Sequence, residues 1–170
     1  MRLGFGDRVT SDIVAPTLFH AVGQGALGVE IRANDDEARR LCDALTHQPT
    51  WWRCLAERAC LRVLEGGCSV PVGVHSELAP PPGDAVRTTA GVLRLVGAVT
   101  ALDGQRHVER EIEGEVGSAE QAEQLGARLA RILIESGGRE ILNEITKDRE
   151  QRGEAAVQNT DAAIGGTASG

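Results

Sequence analysis

Apolar residues recur at helical spacing in three stretches of the chain and at strand spacing in four. From Asn34 onward, Ala38, Leu41, Cys42 and Leu45 fall on one helical face. Asn34 is placed to cap that helix, and Glu37 three residues on completes a capping box. Pro49 marks the next helical start, because the first turn has no use for the N–H that proline lacks. Trp52, Leu55, Ala56, Ala59, Cys60 and Val63 form the apolar stripe of this second helix, and Gly66-Gly67 supplies its stop. A third helix opens at Ser118, boxed by Gln121, and turns Ala122, Leu125, Leu129, Ile132 and Leu133 inward. Gly137-Gly138 ends it, and a short apolar segment, Ile141-Leu142 with Ile145, follows.

The strand patterns lie between these helices. Val29-Glu30-Ile31-Arg32 alternates apolar and polar, as a half-buried strand does. Ser69 to Val74 reads as a short strand whose Pro71 suits a sheet edge or a bulge. Val92 to Thr100 and His107 to Val116 form a hairpin turning at Asp103-Gly104. Pro80-Pro81-Pro82-Gly83-Asp84 is an exposed loop, and the polar, glycine-rich composition from Lys147 predicts a disordered tail over 147–170. Residues 48–146 therefore predict an α+β unit, a three-stranded antiparallel sheet with helices on one face. Residues 1–47 offer one strand and one helix, too little for each to bury the other's apolar face.

Composition narrows the setting. Of the 170 residues, 41% are hydrophobic but only 2% aromatic, so aliphatic side chains must fill the core. No apolar run reaches the length of a membrane span, and the N-terminus has no apolar stretch of the secretory kind, which points to a cytoplasmic protein without a membrane partner. The net charge of −7 comes from scattered acidic residues, which argues against nucleic acid as a partner. Cys42, Cys54, Cys60 and Cys68 form no C-x-x-C pair, and His47 and His75 stand at no zinc spacing, so no metal site is expected. In a reducing compartment the cysteines read as free thiols, mostly buried.

Three motifs carry candidate chemistry. Gly23-Gln24-Gly25-Ala26-Leu27-Gly28 has the letters of a dinucleotide fingerprint, but that motif needs a strand before it and a helix opening directly from it. The alternatives are a tight crossing between elements, or a turn whose backbone N–H groups and Gln24 amide meet an anionic ligand. Cys68 follows Glu65-Gly66-Gly67, just past a helix C-terminus, where a bulky group attached to sulfur has room. The negative end of the helix dipole opposes an unusually acidic thiol there, so Cys68 is either a structural thiol or an attachment point, and a poor protease-type nucleophile. Ala56-Glu57-Arg58-Ala59 lies mid-helix; its two charges point apart and read as a solvated or interdomain face.

Taken together, these segments resemble the porphobilinogen deaminase (hydroxymethylbilane synthase) family. Val22 to Arg32 is similar to its VGQGALGxExR segment, Leu55 to Ala59 to its AERA signature, and Leu64 to Val72 to its LEGGCxVP signature. Arg2-Leu3-Gly4 with Asp7-Arg8-Val9, the hairpin over Leu95 to Gly104, and Ala122 to Leu142 extend the resemblance across residues 2–145. It implies a transferase of haem and tetrapyrrole biosynthesis with two lobes like periplasmic binding proteins and a smaller third domain. Four porphobilinogen units condense, with loss of ammonia, onto a dipyrromethane cofactor held by a cysteine thioether, and water releases the product.

Carried onto this chain, the resemblance assigns residues 1–25 to the end of the second lobe and 26–47 to a strand and helix of the first. Residues 48–146 become the cofactor-carrying domain. Cofactor binding falls to Cys68, as the covalent thioether, with Gly67, Gln24, Gly23 and Gly25. The family's catalytic aspartate and arginine cluster have no counterpart in these 170 residues, so no catalytic residue is assigned. The expected partners are porphobilinogen and the growing polypyrrole chain, with the two lobes required; the chain alone is expected not to turn over porphobilinogen, and the parent enzyme is expected to be a monomer. The alternative is a non-catalytic binding module derived from the third domain.

Overall fold

The computed structural model describes residues 3–64, 71–79, 90–148 and 151. The expected helix stop at Gly66-Gly67, Cys68, the strand start at Ser69, the Pro80–Asp84 loop and all but the first two described residues and residue 151 of the expected tail lie outside them. After a short 3-10 turn at Gly6–Arg8 come α1 (Asp36–Leu45) and α2 (Gln48–Val63). Three strands follow, β1 (Val72–Ala79), β2 (Gly91–Thr100) and β3 (His107–Val116), then α3 (Ala119–Leu133). A π turn, Ile134–Gly138, with Gly137 at φ 105, reorients the chain into a last helix, α4, over 139–148.

The strands form one antiparallel sheet in the order β1-β2-β3. Ser76 pairs with Leu95, which pairs with Ile112; one step along, Val74 pairs with Gly97 and Gly97 with Arg110. One face of β2 therefore presents Leu93, Leu95 and Val99 to the helices, where they join Trp52, Ala56 and Cys60 of α2 and Leu125, Leu129 and Leu133 of α3. Ile141 and Ile145 of α4 close the same core. Each such aliphatic side chain contributes about 1.5–3 kcal/mol by leaving water. Ser118 caps α3 by accepting from the Gln121 N–H at 3.2 Å, while Gln121 Oε1 accepts from the Gly117 N–H at 2.8 Å. The sheet with helices over one face is thus as the sequence pattern predicts. β1, though an edge strand as Pro71 suggests, starts after that proline and runs on to Ala79.

Before Trp52 no described residue is buried. Two expectations change here. Val29–Arg32 forms no strand: it lies beside no other described strand to bond with, and Val29 is exposed. The cap of α1 is Asp35, whose Oδ1 accepts from the Ala38 N–H at 2.9 Å, not Asn34. A carboxylate beside the positive end of the helix dipole makes the stronger cap, and the one-residue shift takes Glu37 out of the capping-box position. The apolar face of α1 is open, with Leu45 84% exposed, as expected of a segment too small to bury it. The N-terminal segment is tied to the α+β unit instead at the free edge of β1, where His20 and Val74 exchange backbone hydrogen bonds of 3.1 and 2.8 Å.

Candidate functional site

The glycine run folds as a closed turn. The Gln24 N–H donates to Ala21 O and the Ala26 N–H to Gly23 O, both at 3.1 Å, and the Ala21 N–H donates to Gln24 Oε1 at 3.0 Å. Gly23 and Gly25 take φ of 67° and 82°, the left-handed region in which a Cβ is strained. No strand leads into this turn and α1 begins only at Asp36, so the dinucleotide context is absent. The Gly23 N–H is engaged as well: it donates to Glu57 Oε2 of α2 at 2.8 Å.

Glu57 is the residue whose partners sequence reasoning missed. Of the two settings expected for it, a solvated or an interdomain face, the first is excluded, because it is only 9% exposed. Its Oε1 accepts from the Ser76 hydroxyl of β1 at 2.5 Å, and Ser76 Oγ in turn accepts from Arg53 Nε at 3.0 Å. A buried carboxylate is tolerated only when its oxygens are matched by donors, and here both are. One signal was available in the sequence: Arg53 precedes Glu57 by one helical turn, a spacing that puts opposite charges on one face. Ser76, which joins the two, arrives from β1 and has no local signature. Arg58, the next residue, points outward and is exposed, so the two charges do diverge as expected.

The turn and α2 enclose a cleft of about 260 Å³ lined by Gln24, Gly25, Thr50, Arg53, Cys54 and Glu57, among others. Among the described residues nothing accepts from the Gly25 N–H, Gln24 Nε2 or the Arg53 Nη groups. The lining therefore offers donors to an anion, a donor set that fits a group bearing carboxylates. Gly23 and Gly25 differ within it: Gly25 keeps a free N–H, whereas the Gly23 N–H belongs to Glu57.

The thiols differ as well. Cys60 is buried, and burial with the nearby Glu57 charge pushes its pKa up to about 12. Cys54, on the cleft wall, is half-buried and raised by the same two causes, burial first. Cys42 is half-buried on the open α1, so the expectation of mostly buried thiols holds only for Cys60 among the described three. Cys68 and Gly67 lie outside the described residues; the chain reaches that segment from Leu64, buried in the core, and leaves it at Pro71, one residue before β1.

A three-stranded antiparallel sheet under two crossed helices, with a donor-lined cleft where a preceding glycine turn meets it, defines a small α+β domain preceded by a segment without buried residues of its own. Family comparison matches two separate stretches of the chain. Residues 51–135 match the model described as porphobilinogen deaminase, C-terminal domain, and residues 1–40 match the one described as porphobilinogen deaminase, dipyromethane cofactor binding domain. The chain belongs to the porphobilinogen deaminase family. It is 41% identical over 149 residues to the porphobilinogen deaminase of Debaryomyces hansenii (88% of this chain, 39% of the relative). To that of Synechococcus elongatus it is 47% identical over 144 residues (85% and 41%), and to that of Schizosaccharomyces pombe 39% over 158 (93% and 45%). The chain thus spans about two-fifths of the length of these curated relatives.

Proposed function

We propose that this chain supplies the C-terminal part of a hydroxymethylbilane synthase, which condenses porphobilinogen units with loss of ammonia. Cys68 is the thioether attachment point, and Gln24, Gly25 and Arg53 bind carboxylates. Residues 1–25 end the second lobe, 26–47 return to the first, and 48–146 are the third domain. The observation that carries the reading is the cleft itself. Gly23–Ala26, from the segment matching the cofactor-binding domain, faces Thr50–Glu57 of the α+β domain across it. The open faces of 27–45, with Leu27 99% exposed, suit a segment that packs into a lobe supplied by the remainder of the protein.

The chemistry of the cleft follows from its donors. The bound dipyrromethane would supply the free pyrrole position at which chain growth starts. Gln24, its Oε1 fixed by the Ala21 N–H, presents Nε2 to a carboxylate. Arg53, its Nε held by Ser76, presents the Nη edge, and the flat guanidinium suits bidentate contact with a carboxylate. The Glu57 carboxylate, engaged on both oxygens, leaves those donors to the ligand. A persistent thioether asks for no thiolate at each turnover, so Cys68 can work beyond the negative end of α2.

The test joins this chain to the N-terminal portion of the Synechococcus elongatus relative and measures intact mass and porphobilinogen consumption. A dipyrromethane mass increment, lost together with activity in Cys68→Ser but kept in Cys42→Ser, Cys54→Ser and Cys60→Ser, is expected. An increment that survives Cys68→Ser overturns the attachment assignment.

A further inference from the structure

The geometry points to Glu57 as the positioning residue for the whole cleft: one buried carboxylate sets both walls, the glycine turn through the Gly23 N–H and the Arg53 guanidinium through Ser76. The consequence for carboxylate binding rests on the function proposed above; the positioning itself does not. Glu57 draws its partners from far along the chain, 34 residues away at Gly23 and 19 at Ser76. It thereby ties together the N-terminal segment, α2 and β1.

The turn moves as a unit, because its own hydrogen bonds join Ala21 to Gln24 and Gly23 to Ala26. Two ties hold that unit against the α+β domain: the backbone bridge of His20 to Val74 and the Glu57 bond to Gly23. The first anchors the entry to the turn. The second, three residues on, fixes its orientation and with it the direction of Gln24 Nε2. On the opposite wall the Arg53 side chain is held, among the described residues, by the bond from Nε to Ser76 Oγ, and the Ser76 hydroxyl is oriented by donating to Glu57. Without the carboxylate the serine has no reason to turn its lone pairs toward Arg53. A carboxyl that served only the stability of α2 would not need acceptor bonds to two different segments of the chain.

The experiment uses the 170-residue chain, isotope-labelled, with hydrogen exchange followed at the Gly23 amide and at Arg53 Nε. Thermal unfolding monitored by the fluorescence of Trp51 and Trp52, the latter buried in the core, reports separately on the core. In the native chain both protons are protected. Glu57→Gln keeps Gly23 protected, because the amide oxygen still accepts. Ser76→Ala frees Arg53 Nε and leaves Gly23 as it was. Glu57→Ala frees both, each exchanging roughly tenfold faster or more, as loss of one buried hydrogen bond implies. Unchanged Gly23 exchange in a folded Glu57→Ala chain overturns the proposal, and so does a Glu57→Gln chain that loses as much protection as Glu57→Ala. Should Glu57→Ala fail to fold, Ser76→Ala decides: protection lost at Arg53 alone upholds the proposal, and protection kept at Arg53 or lost at Gly23 overturns it. Absence of deaminase activity in the joined protein would refute the proposed function and leave these exchange rates as they are.

Discussion

Gly126 of α3 crosses the backbone of Ala56 of α2 so closely that a Cβ on Gly126 would lie 1.9 Å from Ala56 O. The obstacle is backbone, which cannot swing aside as a side chain does, so the two helices would have to separate along their line of contact. Gly126→Ala is expected to lower stability by about 1–3 kcal/mol or more, the usual range for overpacking a core. Thermal unfolding followed by the fluorescence of Trp51 and Trp52 checks this; an unchanged midpoint would place the crossing elsewhere. The gain in helix propensity from glycine to alanine, about 1 kcal/mol, acts in the opposite direction and is too small to hide the clash.

Thiol reactivity should rank with burial. Cys60, pushed up to about 12 by burial and by Glu57, should resist alkylation at neutral pH until the protein unfolds. Cys54, raised less, should react slowly, and Cys42 on the open α1 fastest of the three. The same shift has a consequence for stability. The folded pKa lies above the ordinary thiol value of 9.0, so the contribution is complete below pH 9 and is lost as pH rises from there toward 12. Mass spectrometry of timed alkylation and an alkaline unfolding series test the two halves. Rapid native labelling of Cys60 would contradict both.

The outer face of the sheet carries an acid-sensitive cluster. Arg94 Nε and Nη2 donate to the two oxygens of Glu111, each at 2.6 Å, and Nη1 reaches Glu77 at 3.5 Å. Glu111 is held below the ordinary carboxylate value chiefly by the Arg94 hydrogen bonds, and Glu77 chiefly by its bond from His75. A depressed folded pKa means stability that is present above about pH 4.5 and lost as pH falls through the lower folded values. Arg94→Ala should therefore lower stability slightly at pH 7, because exposed pairs contribute little, and flatten the acid limb of the stability profile by that same small amount. Acid titrations of the two proteins, overlaid, would refute this if their limbs were parallel.

Residues 48–146, produced alone, should fold cooperatively, since every buried hydrophobic residue identified lies between Trp52 and Ile145. They should be less stable than the whole chain. Removing Gly23 leaves Glu57 Oε2 without its donor, and removing His20 leaves the Val74 backbone groups without theirs. The expected loss is about 1–3 kcal/mol for each unmatched buried group, read from denaturant unfolding. A fragment that fails to fold would show that the N-terminal segment is part of the core.

The sequence by itself determined the helix and strand content of the α+β unit. Apolar periodicity, the Ser118 cap and the Asp103-Gly104 turn are local signals, and each acts within a few residues of where it is written. It also determined the family, because ordered motifs survive without knowledge of their contacts. What only the tertiary structure decided is what meets what. Glu57 read as part of a solvated or interdomain face, with no way to choose, because its partners, Gly23 and Ser76, lie 34 and 19 residues away and have no local spacing to betray them. Val29–Arg32 read as a strand because alternation reports a preference for a pleated, half-buried setting, whereas a strand exists only where a neighbour completes its hydrogen bonds. The Gly23 amide looked available to an anion until α2 was seen to have placed a carboxylate there already.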